Sequence, residues 1–283
     1  MFYGGLTGFG GGHSVSYEGL MDDIASNGLL ANLEICIDVA AASCWDDGVD
    51  SQTLFDMSGN GYDFHLGAGA GSSTDDPTFN GTVGDLSSSE YFSFDGGDFF
   101  TIKSMPASIQ AMHADGADYT IFHVWYLANN AAAAYLCGDG AIGSNRGTNV
   151  NWESDEKYQI NVWGAGSQYK QTDAGQFSTL PGWKALANSI NEEGGSVSFF
   201  RRTDADAQEA YLNVGSATTF DFAFSGSASA AAYDFAIGAR ASGQNPTLST
   251  SRFAMFALWS ESLTAGQIDS ILTSASVSTR FSL

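Results

Sequence analysis

The segment that most constrains this chain is its end, where Arg252-Phe253-Ala254-Met255-Phe256-Ala257-Leu258-Trp259-Ser260 runs almost directly into Leu263-Thr264-Ala265-Gly266-Gln267-Ile268. The first stretch reads as a buried strand. In the second, Thr264 is a good helix N-cap, and Gln267, three residues on, can reach back to the cap backbone. Leu263 and Ile268 are placed to staple across the helix start. A second stretch alternates: in Tyr119-Thr120-Ile121-Phe122-His123-Val124-Trp125 the odd positions share one face and the even positions the other. Both faces are largely apolar, which places such a strand in the middle of a sandwich. A parallel α/β sheet would need helical segments between strands, and the sequence has none. The expected fold is all-β, a two-sheet antiparallel jelly-roll sandwich with an N-terminal arm and a short helix.

Further strand signals after Cys44-Trp45 are Phe64-His65-Leu66, Tyr91 to Phe94, Phe99 to Ile102, Tyr158 to Val162, Val197 to Arg201 and Tyr233 to Ile237, separated by Gly, Asn, Asp and Ser clusters. Residues 1–16 form a Gly/aromatic-rich arm that cannot build a core, with Phe2, Tyr3, Leu6 and Phe9 as its anchoring side chains. Tyr17, Leu20, Met21 and Ile24 fall at helical spacing, predicting a helix over 17–26 with Ser16 as N-cap and Gly28 as its stop. The run Leu29 to Ala42 fits either a buried strand or a second helix. Three parts follow: the arm 1–16, a helical anchoring segment 17–37, and the sandwich 38–283. With 20 Phe, 11 Tyr and 6 Trp there is ample material for one large core.

Ten Lys and Arg against 32 Asp and Glu give a net charge of -22, which disfavours nucleic acid and anionic membranes as partners. Cys36, Cys44 and Cys137 have neither CxxC spacing nor an even count, so buried free thiols are expected. The opening Met1-Phe2-Tyr3-Gly4-Gly5 lacks the basic and apolar regions of a signal peptide, and no apolar run approaches a membrane span. The expectation is synthesis in a cytoplasm, with release to the outside by lysis, as for a virus particle.

Four motifs then occur in order. Phe55-Asp56-Met57-Ser58-Gly59-Asn60-Gly61-Tyr62-Asp63 is an Asp-x-Ser-Gly-Asn-Gly turn, and Phe92-Ser93-Phe94-Asp95-Gly96-Gly97-Asp98 contains a Phe-Asp-Gly hairpin. Asp118 to Trp125 is a strand ending in Trp, and Phe235 to Arg240 with Phe253 to Ile268 forms a closing strand pair and capped turn. Together they resemble a laminin-G-like domain of the concanavalin-A-like lectin/glucanase superfamily, of the kind found in bacteriophage virion surface proteins. The resemblance implies a jelly roll over about residues 38–275. It makes Ca²⁺ the one reasonable cofactor, with Asp56, Asp63, Asp95 and Asp98 as candidate ligands; turn structure explains these aspartates equally well.

Catalytic patterns are weak. Glycoside hydrolases on this fold need two carboxylates on one strand face. The nearest string, Trp152-Glu153-Ser154-Asp155-Glu156, puts Glu153 and Asp155 on one face but lacks the third acid at the spacing of a Glu-x-Asp-x-x-Glu pattern, and it reads as a solvated loop or edge. His13, His65, His113 and His123 have no zinc spacing. Neither a Gly-x-Ser-x-Gly elbow nor a phosphate loop occurs. Trp152 and Trp163 are candidates to stack on a sugar, against the usual burial of Trp in a core. The leading expectation is a non-enzymatic structural and binding protein on a virion surface: capsid decoration, head fibre or tail protein. Its arm would dock on other virion proteins, such as the major capsid or tail protein, as a homo-oligomer in a large assembly. The alternative is a lectin-like module for cell-surface glycans; third comes a glycan hydrolase or lyase with an unrecognised site.

Overall fold

The computed structural model describes residues 18–46, 48, 50–112, 118–128, 133–140, 147–153, 157–163, 167–171, 181–191, 196–203, 233–246 and 248–283. At 111, 162, 163, 167–171, 191 and 196–203 it describes the backbone alone. In chain order the elements are α1 (Leu20–Ser26), β1 (Leu33–Asp38), β2 (Thr53–Leu54), β3 (Phe64–Leu66), β4 (Thr78–Asn80), β5 (Tyr91–Asp95), β6 (Phe100–Ile102) and α2 (Ala107–Ala111). Then come β7 (Asp118–Leu127), β8 (Ala134–Gly138), β9 (Gly147–Trp152), β10 (Tyr158–Trp163), β11 (Ser167–Gln171), β12 (Gly182–Asn191), β13 (Ser196–Thr203), β14 (Ala236–Ile237), β15 (Ser249–Trp259) and α3 (Ala265–Leu272). A π-helical turn, Ala275–Thr279, follows.

Two antiparallel sheets face each other. Sheet A runs β13-β12-β7-β15-β5-β4, with β1 also on β15; sheet B runs β11-β10-β9-β8-β14-β6-β3-β2. This is the two-sheet jelly roll expected from the sequence. The alternation of β5, β7 and β15 turns Phe92, Phe94, Trp125 and Phe253 inward from sheet A onto Phe100 of sheet B. Phe100 lies 5.1, 5.7 and 5.5 Å, centroid to centroid, from Phe92, Phe94 and Phe253, and Trp125 lies 4.9 Å from Phe253. Each of these side chains, removed from water, contributes about 1.5–3 kcal/mol.

Sheet A forks along β15. Its first part, at Arg252 and Phe253, pairs with β5, whereas Met255 to Trp259 pair with β1; β7 occupies the other edge throughout. The register shifts between Phe253 and Met255, and the Ala254 carbonyl accepts the Val39 N–H at 3.1 Å. A bulge bends the strand where its partner changes.

Within the run 29–42, Leu33–Asp38 forms a strand because its apolar residues complete the β15 edge. That pairing corrects the boundary expected at 37/38, which would cut β1. Leu20, Met21 and Ile24 of α1 lie in the same hydrophobic cluster as the inter-sheet aromatics, so residues 20–37 are part of the sandwich. The expected helix is α1, but Gly19 (φ 56°) holds the N-cap position, and Asp38 Oδ2 accepts the Leu20 N–H at 3.0 Å. The arm 1–16, with Ser16, lies outside the described residues. At the other end the expected capping box is present: Thr264 Oγ1 accepts the Gln267 N–H, and Gln267 Oε1 accepts the Thr264 N–H at 2.8 Å. Thr120 and Ser189, on the outward faces of β7 and β12, tie this corner to sheet A through Leu263 N–H and Leu263 C=O. The capped corner therefore packs on one end of sheet A's outer face.

Candidate functional site

At the opposite end of that face, cross-strand register brings together side chains far apart in sequence. Arg252 of β15 sits opposite Tyr126 of β7, and Trp183 of β12 sits opposite Tyr126 on its other side. Tyr91 comes from β5. Their inward-pointing neighbours Phe92, Trp125 and Phe253 fill the core, so alternation turns these four outward, and all four are partly exposed. The guanidinium carbon of Arg252 lies 4.6 Å from the Tyr91 ring centroid and 4.5 Å from that of Tyr126. Trp183 meets Tyr91 at 6.2 Å and Tyr126 at 5.7 Å, edge to face, and Phe281 backs it at 4.5 Å. The aromatic faces attract the cation through their quadrupoles and hold it flat. Among the described residues, the Arg252 guanidinium, the Tyr91 and Tyr126 hydroxyls and the Trp183 indole N–H have no hydrogen-bond or ion-pair partner. The arrangement offers ring faces and several free donors in one exposed place.

A second polar surface lies on sheet B. Tyr135, Asn151 and Gln159 stand in register across β8, β9 and β10, with Asn149 opposite Asn161. Here several groups bond to one another, while Asn149 Oδ1, Asn151 Oδ1 and Arg240 Nε are buried without a hydrogen-bond partner. Gln159 Oε1 accepts from Asn151 and Asn161 at 3.2 and 3.1 Å, and Arg240 stacks on Tyr135 at 5.0 Å while donating to its hydroxyl at 3.3 Å. Asn149 is buried and Asn151 and Arg240 nearly so.

The residues singled out from sequence fall elsewhere. Trp152 is 1% exposed and packs in the inter-sheet core, which corrects the expectation of a sugar-stacking face there. Trp163 ends β10, and its side chain lies outside the described set, as do Phe2, Tyr3, Leu6 and Phe9. Asp56 caps the turn between β2 and β3: its carboxylate accepts from Cys36 N–H, Ser58 N–H, Ser58 Oγ and Tyr62 N–H at 2.9, 2.9, 2.6 and 3.1 Å. Gly59 and Gly61 adopt φ of 91° and 75° in that turn, a left-handed conformation that only glycine enters freely. Asp63 Oδ1 accepts the Asp56 N–H at 2.9 Å. Burial raises the Asp56 pKa despite these donors. Between β5 and β6, Asp95 accepts from Gly97 N–H and Asp98 from Asp95 N–H, both at 2.8 Å. Burial, helped by Asp95 and Asp76, pushes the Asp98 carboxyl up to about 6. Both oxygens of Asp56 are taken by N–H and O–H donors, Asp63, Asp95 and Asp98 each accept a turn N–H, and the four aspartates divide between two turns. Among the described residues no group of three or more His, Cys, Asp or Glu is placed to hold a metal. These aspartates do not fit Ca²⁺ and act as turn residues.

Glu153 closes the β9–β10 hairpin through a 2.8 Å bond from its N–H to the Lys157 carbonyl, and Asp155 lies outside the described residues. His123 is fully buried: Tyr158 donates to Asn188 Oδ1 and sits 2.5 Å from His123 Nε2, and desolvation holds the imidazole pKa down at about 3. Cys36, Cys44 and Cys137 are buried free thiols raised by desolvation.

No family model matches the chain, and no curated protein matches it in sequence. Solved structures resemble it in fold. One is a receptor-binding domain, 11% identical over 86% of this chain and 51% of that one, TM-score 0.51. Another belongs to work on botulinum neurotoxin type C, whose cell entry is described as dependent on two ganglioside molecules (11% identical, 86% and 51%, TM-score 0.50). A third is the binding domain of botulinum neurotoxin DC in complex with SialylT (9% identical, 85% and 50%, TM-score 0.50). At these identities the likeness is one of fold: a two-sheet jelly roll. The chain spans about half the length of these structures.

Proposed function

We propose that this protein is a non-enzymatic carbohydrate-binding module whose binding surface is the Tyr91, Tyr126, Trp183 and Arg252 patch. The observation that carries this reading is the coincidence of three partly exposed aromatic rings with uncommitted polar tips. Aromatic faces take the C–H face of a sugar, and nearby O–H and N–H groups fix its hydroxyls. The sheet B surface is a poorer candidate, because Asn149, Asn151 and Arg240 are buried. Structures of similar fold described with gangliosides and with SialylT support the reading without carrying it.

Where the module works is a second part of the proposal. The Gly/aromatic arm, with Phe2, Tyr3, Leu6 and Phe9, suits docking on a larger particle such as a virion surface, where many copies would turn weak glycan contacts into firm attachment. The test is direct. Full-length protein and a variant lacking 1–16 are compared by light scattering and on a glycan array. Glycan binding retained by both, and lost in Trp183→Ala, supports the module; no binding to any glycan sinks it. A full-length chain that assembles while the truncated chain is monomeric supports the arm's role, and identical monomers remove it.

A further inference from the structure

We infer that Arg252 makes this patch selective for a sugar that carries a carboxylate. The inference rests on the glycan-binding reading above and goes beyond it by naming the ligand class.

Its basis is what the chain does with its other cations. Carboxylates outnumber cations by 32 to 10. Arg280 pairs with Asp38 at 2.7 Å; Lys103 donates to Thr53 Oγ1 at 2.6 Å; Arg240 donates to the Tyr135 hydroxyl. Lys157 and Lys184 also have partners. Arg252 alone, among the cations whose side chains are described, holds only ring contacts. In so acidic a chain, an arginine without a polar partner in a partly exposed place is a donor set left open.

The geometry selects what can use it. Two tyrosines cover the guanidinium and fix its plane, so its N–H edge is presented without further loss of side-chain freedom. That edge is a rigid fork suited to two parallel bonds with a carboxylate. Trp183 stands beside both tyrosines, held from behind by Phe281, and supplies a face for the sugar ring that bears the acid. β4 and β5 border the patch with small polar groups: Ser93 is opposite Arg252, and Asn80 is opposite Tyr91. The carboxylate of β5, Asp95, accepts the Gly97 N–H.

The test uses the full-length chain and four probes in titration calorimetry: lactose, 3′-sialyllactose, the methyl ester of that sialoside, and a sulfated lactose. A charge-assisted pair contributes enough for about a 10- to 100-fold preference. The expected result is that sialyllactose binds at least about 10-fold tighter than lactose, and that the ester falls to the lactose level. Arg252→Gln should abolish the preference. Arg252→Lys, which keeps the charge but not the fork, should lose most of it. Urea midpoints of both variants check that the sheet is intact, and the lysine variant carries the test if the glutamine variant is unstable. If lactose and sialyllactose bind equally, or the preference survives in Arg252→Gln, the carboxylate assignment is wrong while glycan binding stands. Sulfated lactose binding as well as sialyllactose overturns it in favour of a general anion site. If none of the four probes binds, and no glycan does on the array, the glycan-binding reading itself fails.

Discussion

Replacing Arg280 by leucine should destabilise the sandwich by about 4 kcal/mol, and the structure shows how that figure arises. Asp38 ends β1 with no exposed surface, beside the β15 bulge, and it joins three parts of the chain. Its Oδ2 accepts the Leu20 N–H that opens α1, its Oδ1 accepts the Ala40 N–H at 3.2 Å, and Arg280 Nη1 donates to both oxygens at 2.7 and 2.9 Å. Arg280 Nε also donates to the Ser87 carbonyl at 2.9 Å. Leucine removes both charge-assisted bonds and leaves a carboxylate in the core with only two backbone donors. Breaking one partner of a buried ion pair costs about 3–5 kcal/mol, and two lost charge-assisted bonds give a similar sum. Against a total stability of about 5–15 kcal/mol that is a large fraction.

The assay is urea unfolding of the wild type, Arg280→Leu, Asp38→Asn and the double variant, followed by far-ultraviolet circular dichroism and Trp fluorescence. Both single variants should lose stability, and the double variant should be less destabilised than the sum by about 2 kcal/mol or more, because neither charge is then left alone. Deleting 1–16 should leave the midpoint unchanged, whereas deleting 1–38 should abolish cooperative unfolding, since it removes α1, β1 and Asp38 together. A loss below about 1 kcal/mol in Arg280→Leu, with additive variants, would refute both the buried pair and the claim that residues 20–38 belong to the sandwich.

Two titrations follow from burial. Asp98 has a folded pKa of about 6 against about 3.9 unfolded, so the native state holds the proton more tightly and stability falls as pH rises from about 4 to 6. Asp98→Asn, which can still accept the Asp95 N–H, should be more stable than the wild type by about 2 kcal/mol at pH 7–8 and equal to it near pH 4; denaturant midpoints across that range decide it. His123 has the opposite sign: folded near 3 and about 6.5 unfolded, it takes up a proton only on unfolding, so stability is lost as pH falls from about 6.5 towards 3. His123→Gln should flatten that slope in the same series, and a slope equal to that of the wild type would show that other groups set the acid response.

Local signals carried much of the fold. The capped helix after Trp259, the both-sided apolar strand at 119–125 and the Asp56 turn each depend on residues within a few positions of one another, and each is present as expected. The run at 29–42 was ambiguous because its character as a strand comes from β15, more than 200 residues away. The side chains of the candidate site are also far apart along the chain. Tyr91, Tyr126, Trp183 and Arg252 sit on four strands, and no local pattern marks them as neighbours. One signal was within reach: Tyr91 and Ser93 alternate with Phe92 and Phe94, and Arg252 precedes Phe253, so strand parity alone turns Tyr91 and Arg252 outward. Parity also misled. Trp152 looked surface-facing because it borders the polar string Glu153 to Glu156, yet it shares a face with Val150, which points into the core. Sequence thus fixed which side of a strand each residue occupies more readily than which strands lie side by side, and a binding surface built across four strands depends on the second.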